Sequence, residues 1–312
     1  MLYSPAPMHI PDGFLSLVMS LVFWAITIIT VGIAISKTNK SLGEKQVPLM
    51  GVMAAFIFAA QMLNFPVAGG TSGHFLGGAL AAIVLGPWAG ILVMTAVIAV
   101  QGLLFQDGGL LVMGANIFNM GLLTAMIGFG LYRSVIGRKK GVRLAVAGVA
   151  AWLSTVTASL VASLQLWLSG TSQLQIVLPA MLGVHVLIGL GEAIITVAAL
   201  AFIEQTRPDL LSEKTVATKG GRGWILAGIL VSLFAVLLSP LASASPDGLE
   251  RVAEDMGFLQ IGQAAPYQIL PDYTIPFLGE TALSTIVAGA VGALVLLGLM
   301  IVIGKSLRRK TS

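Results

Sequence analysis

Cysteine is missing from the 312-residue chain, which excludes disulfides, thiolate metal sites and Cys-based redox chemistry. Charge is scarce as well: 10% of residues are Asp, Glu, Lys or Arg, where a soluble globular domain carries about 25%. With 57% hydrophobic residues and a mean hydropathy of +0.96, water is excluded as the main solvent. Histidine occurs only as His9, His74 and His185. No basic residue precedes the first apolar run, so residues 1–7 do not read as a signal peptide and that run is expected to stay as a membrane anchor.

What is present is a series of long apolar runs. A helix needs roughly 20 residues to cross the hydrocarbon core, and such runs lie at about 14–35, 47–64, 88–104, 114–132, 145–168, 175–203, 224–242 and 284–304. Residues 75–86 are short, small and ambiguous, and charge parity decides them. Basic residues mark cytoplasmic loops. The clusters Lys37/Lys40/Lys45, Arg133/Arg138/Lys139/Lys140/Arg143, Arg207/Lys214/Lys219/Arg222 and Lys305/Arg308/Arg309/Lys310 share one side only if 75–86 is a crossing. Sixteen of the 17 basic residues then lie inside, with Arg251 alone outside.

The expectation is therefore an all-α integral protein of the inner (cell) membrane with nine spans, N-terminus out and C-terminus in. The sequence pI near 9.5 is topological, and nucleic acid is excluded as a partner. The polar stretch 204–223 separates seven tightly looped spans from a final pair enclosing a loop at 243–283. That division predicts a seven-span module at 8–220 and a two-span module at 221–312, with 1–7 as a leader.

His9 lies in Met-His-Ile-Pro-Asp-Gly (8–13) before the first span, and His74 ends Asn-Phe-Pro-Val-Ala-Gly-Gly-Thr-Ser-Gly-His (64–74). Both fall on one side near the membrane surface. Neutral imidazole suits nickel, copper, zinc and iron, but spacing alone favours two solvated loop histidines. His185 and Glu192 sit seven apart on one face of the seventh span, where ionisable groups usually turn inward and pair. Asn64, Ser72, Asp107, Asn116 and Asn119 stand near span ends, placed either to orient a ligating imidazole or to cap loops. Gly51, Ala55 and Ala59 recur every four residues on the second span, which permits close helix approach. Gly304-Lys305-Ser306 fails the glycine spacing of a phosphate loop, and no His-Glu-x-x-His is present.

The two histidine motifs, with Asp-Gly-Gly-Leu at 107–110, Gly-Ala-Asn-Ile-Phe-Asn-Met-Gly at 114–121 and His185, Gly189, Glu192 and Thr196, resemble the CbiM/NikM family. These are the substrate-specific components of energy-coupling factor importers for nickel and cobalt. Ser-Pro-Asp-Gly-Leu-Glu at 245–250 resembles the small accessory PDGLE subunit that is sometimes fused to them. The resemblance implies a metal held by the Met8 amine, the amide and ring of His9, and His74. A free amine at Met8 requires the working chain to start there. It also implies docking of a transmembrane coupling subunit on a small-residue face such as Gly51, Ala55 and Ala59, ATP hydrolysis by partner ATPases, and no tightly bound cofactor.

The expected function is a metal-capturing transport subunit, not an enzyme, for Ni(II) with Co(II) for cobalamin synthesis as the alternative. A stand-alone secondary transporter would need more intramembrane ionisable groups than His185 and Glu192. Six carboxylates in 243–283 are expected to aid metal encounter through their field, without ligating the metal.

Overall fold

Lipid offers no partner to a bare N–H or C=O, so each apolar run must satisfy its backbone internally as a helix. The computed structural model describes residues 9–43, 46–211 and 223–308. Helix α1 (Leu17–Ser41) starts where the Ser16 hydroxyl accepts from the Met19 amide. Helix α2 (Gln46–Gln61) returns, and a hairpin of β1 (Phe65–Val67) and β2 (Thr71–Gly73) follows, paired antiparallel with Phe65 opposite Gly73. Next come α3 (Gly78–Leu85) and α4 (Pro87–Val100), the latter continued by a π-helical turn, Gln101–Phe105. Between α3 and α4, Gly86 takes φ +83° and Pro87 fills the first helical position, which reverses the chain sharply.

A single turn α5 (Met113–Asn116), a π segment (Ile117–Leu123) and α6 (Thr124–Arg133) form one continuous helical stretch. Then follow α7 (Lys140–Leu168), α8 (Leu174–Thr206), α9 (Gly223–Leu238), the short α10 (Gly248–Asp255) and α11 (Ala282–Leu307). Seven of these stretches are long and apolar enough to cross a membrane, and the 16-residue α2 is a shorter apolar helix.

Residues 75–86 depart from the expected simple span. Only eight residues are helical, about 12 Å at 1.5 Å per residue, and the chain before them is extended. It still reaches the far end of the bundle, because Ile83 lines the same cavity as Arg133, Ile136 and Leu210. Extended backbone at such depth is tolerated only where protein covers it, and residues 71–75 are all buried.

Close packing depends on small residues. Gly128 lies against Ala79, Gly90 against Ala82, and Gly114 against Trp24 of α1, each too close for a side chain. Helix α4 is the most enclosed of the seven, while α1 and α9 keep most of their surface outward, with Val18, Ile28 and Phe234 exposed as lipid-facing side chains.

The stripe Gly51, Ala55 and Ala59 has a neighbour in the chain's own last helix. All three are buried within this chain, and a side chain at Gly51 would strike the Leu297 carbonyl of α11 at 2.9 Å. Gly304 lies against Val47 and Gly289 against Met62, so α11 runs antiparallel along α2.

The basic helix ends meet opposite the histidines. There Glu204 of α8 pairs with Arg143 and Lys140 of α7. At the histidine end, a second apolar cluster joins Ile10, Phe14 and Leu15 to Met181 of α8 and to Leu249, Val252 and Phe258 of the 243–283 segment. That segment thus sits on top of the N-terminal residues 10–15.

Candidate metal centre

The N-terminal segment ahead of α1 is threaded through polar clamps whose residues are far apart in sequence. Asn116 accepts from the Ile10 amide at 3.1 Å and donates to the Ile10 carbonyl at 3.0 Å, holding both backbone groups of one residue. Asp12 accepts from the amides of Leu110 (2.9 Å), Leu111 (2.9 Å) and Val112 (3.1 Å), which are the orphan donors just ahead of α5. Gly109 has no room for a side chain because Asp12 occupies that space, and its amide donates to the Ile10 carbonyl at 3.0 Å. Gly108, at φ +98°, is bare because a Cβ there would lie 2.9 Å from His9 Cβ. The Asp-Gly-Gly run is thus a cradle shaped for residues 9–12.

These clamps place His9 against His74, with ring centroids 5.6 Å apart and both side chains buried. Nδ1 of His9 lies 3.1 Å from the Asp107 carbonyl and 3.5 Å from Asp107 Oδ1. A carbonyl can only accept, so Nδ1 carries the proton and the lone pair falls on Nε2. Nδ1 of His74 faces Asp247 Oδ2 at 3.9 Å. Both Nε2 atoms are buried without a hydrogen-bond partner. Two imidazoles, each with Nδ1 toward an acidic residue and Nε2 open, are the arrangement in which histidine ligates a metal.

The electrostatics agree. Burial, then the neighbouring His9 and His185, push the His74 imidazole down to about 3, so the ring stays neutral and available. Burial raises the Asp247 carboxyl to about 8. A cation held by the two rings would draw it down again.

The chelate implied by the resemblance is more demanding. Metal, amide nitrogen, Cα, Cβ, Cγ and Nδ1 close its six-membered ring, so His9 must present Nδ1. In this structure Nδ1 faces Asp107, and a half-turn about Cβ–Cγ exchanges the ring's two edges. Met8 lies outside the described residues. Among those described, no group of three or more His, Cys, Asp or Glu side chains is placed to hold a metal ion.

The remaining expected residues divide. Ser72 donates its hydroxyl to the Ser245 carbonyl at 2.8 Å and its amide to the Pro246 carbonyl at 2.8 Å, tying the His74 loop to the 243–283 segment. The Asn64 carbonyl receives the Ser243 amide at 2.7 Å. Asn119 pairs with Gln165 of α7 at 2.7 and 3.0 Å, inside the bundle and away from the rings.

His185 and Glu192 do not pair. Nδ1 of His185 lies 2.8 Å from the Met181 carbonyl, and its ring packs under Gly248. Glu192 instead accepts from the amides of Leu76 (2.6 Å) and Gly77 (3.0 Å), at the start of the half-helix α3. Those amides are the unsatisfied donors of a helix N-terminus, two and three residues after His74.

The acidic loop is also less of an open field than expected. Asp247 and Glu250 are buried in a capping box at the start of α10, leaving Glu254, Asp255 and Glu280 exposed. Tyr273 was not foreseen. Its hydroxyl donates to Asp107 Oδ2 at 2.6 Å, a contact spanning 166 residues that no local spacing announces.

A multi-pass helical membrane protein with two open-valence imidazoles enclosed at one end is the class that fold and geometry define. Comparisons with known proteins narrow it. Residues 9–210 match the CbiM family, described as the cobalt uptake substrate-specific transmembrane region, and residues 222–309 match the PDGLE domain. A protein of Archaeoglobus fulgidus, assigned as the fused nickel transport protein NikMN, is 39% identical over 296 residues, covering 94% of this chain and 96% of that one. The cobalt transport protein CbiM of Sorangium cellulosum is 32% identical over 222 residues, covering 67% of this chain and 96% of its own. A crystal structure described as a truncated transition metal transporter superposes with a TM-score of 0.58 at 32% identity, covering 64% of this chain and 99% of that one. The chain belongs to the CbiM family and carries a C-terminal PDGLE domain. It is a metal-transport membrane protein.

Proposed function

We propose that this chain is the metal-capturing subunit of an ATP-driven importer of the energy-coupling factor type. It takes Ni(II), with Co(II) as the alternative cargo, at the outer face through His9 and His74 and hands it inward. The observation that carries the reading is the convergence of those two buried rings, each with Nε2 open and Nδ1 turned to an acidic residue. Nitrogen donors disfavour Mg(II) and Ca(II), which want oxygen. The Met8 amine and His9 amide complete a square of nitrogens when the chain starts at Met8, and turning the His9 ring closes the chelate. The orientation is N-terminus out, because the basic helix ends then face the cytoplasm. Energy comes from partner ATPases through a coupling subunit, since the sequence holds no phosphate-binding loop.

Calorimetric Ni(II) titration of the purified full chain tests this. His9→Ala and His74→Ala each abolish high-affinity binding, while His185→Ala only weakens it, because the His185 ring nitrogen is engaged with its own helix. Intact mass of the native protein reads whether residues 1–7 are absent. A His74→Ala chain with unchanged affinity overturns the reading.

A further inference from the structure

Helices α8 and α9 flank a groove of about 730 Å³, a volume within the roughly 300–1,000 Å³ typical of ligand sites. Helix α9 is seated on α2 and α11, with Gly228 bare where a Cβ would strike Val52, while α8 packs along α7. The floor of the groove is Val52, Met53 and Phe56 of α2. Its walls are low at Ala198 and Ala227, which are both exposed, as are Ile194 and Phe202 beside them.

The lining is apolar along its length and turns polar at one end, where Thr206 and Arg207 contribute. There the Arg207 guanidinium lies over the Trp224 ring, 4.9 Å from its centroid. Tryptophan belongs at the headgroup level of a membrane, and this end is the one away from the histidines, where the basic helix ends gather. The α8 carboxylate at that end, Glu204, is turned to Arg143 and Lys140 of α7. Leu210 lines both the groove and a neighbouring cavity that holds Arg133, so a second cation stands near the mouth.

Depth decides between occupants. From Ile194 to Arg207 the α8 wall runs about 20 Å at 1.5 Å per residue, which is about half of a bilayer roughly 40–45 Å thick with its headgroups. A partner's transmembrane helix needs the full hydrocarbon thickness, about 30 Å, and the groove ends short of it. A lipid chain entering from the surface needs one leaflet. Basic pockets between helices at the membrane surface take anionic headgroups, whereas a zwitterionic headgroup brings a cation of its own toward Arg207.

We propose that this groove is a binding site for one anionic glycerophospholipid, with an acyl chain between α8 and α9 and its phosphate at Arg207. The bound lipid bridges the CbiM module, which supplies α8, to the PDGLE module, which supplies α9.

Native mass spectrometry of the full chain released from detergent tests this, with phosphatidylglycerol and phosphatidylcholine of identical chains as probes. One copy of phosphatidylglycerol should be retained, with affinity about fivefold above phosphatidylcholine, the factor that one basic residue near the surface contributes toward an anionic lipid. Arg207→Gln should erase that preference. Ala198→Phe combined with Ala227→Phe fills the groove from exposed positions and should abolish the retained copy of either lipid. Phosphatidylglycerol should raise the melting temperature of the wild-type chain, as a ligand of the folded state does, and leave that of the filled chain unchanged.

Equal affinity for the two lipids in the wild-type chain overturns the proposal, as does a preference that survives Arg207→Gln. Retention of the lipid by the filled chain overturns it too. If the filled chain fails to fold, Arg207→Gln alone decides the matter. A dimer of this chain that expels the lipid makes a second copy the occupant and equally overturns the proposal.

Discussion

Replacing Glu192 tests whether a carboxylate buried between helices sets the metal-binding loop. Both of its oxygens accept backbone amides, from Leu76 and Gly77, and the side chain has no exposure. In Glu192→Ala two donors at the start of α3 lose their partner in a region without water. Each stranded buried group costs about 1–3 kcal/mol, so the folded state should lose about 2–6 kcal/mol. Glu192→Gln keeps one acceptor oxygen and turns an N–H toward a backbone N–H, so it should lose about half of that. The loss is local, because the freed backbone begins two residues after His74. Thermal unfolding in detergent gives the stability change, and Ni(II) calorimetry on the folded fraction gives the binding change. Both should fall in the order wild type, Gln, Ala. An Ala variant as stable as wild type would refute the capping argument. A destabilised variant with unchanged metal affinity would refute the link to His74.

Gly108→Ala introduces a Cβ that meets His9 Cβ at 2.9 Å on a backbone of φ +98°, and should weaken Ni(II) binding at least as much as it lowers the melting temperature; equal affinity would show that the cradle does not position His9. A chain ending at residue 220 loses Tyr273 and Asp247 together. It should still bind Ni(II), with lower affinity and with faster release in a chelator chase. Complete loss of equilibrium binding by a folded truncated chain would make the 243–283 segment a source of ligands, and unchanged release would deny it any role at the site.

The helical membrane class was legible in the sequence because apolar runs of bilayer length leave the backbone no other solution. Local motifs were equally direct. Asp-Gly-Gly at 107–109 and Asn116 stand out as punctuation near span ends, and the fold uses each as a clamp on residues 9–12. Charge parity predicts a crossing at 75–86, since basic clusters must share a side. It could not reveal that only eight of those residues are helical, because the Glu192 carboxylate that holds the amides ahead of them arrives from α8, more than a hundred residues later.

Partnerships were what only the tertiary structure decided. A seven-residue spacing puts His185 and Glu192 on one face, yet burial sends one to its own helix and the other to the α3 amides. Small residues on α2 announce a close neighbour without saying whose, and α11 of the same chain fills the place. The acidic residues of 243–283 read as a solvated field until packing buried Asp247 and Glu250. Tyr273 meets Asp107 across 166 residues. The sequence dictates which backbone must be helical and which residues bend it, because those demands are local. It is silent on which distant side chains satisfy one another, because that depends on how the completed helices and the covering segment enclose them.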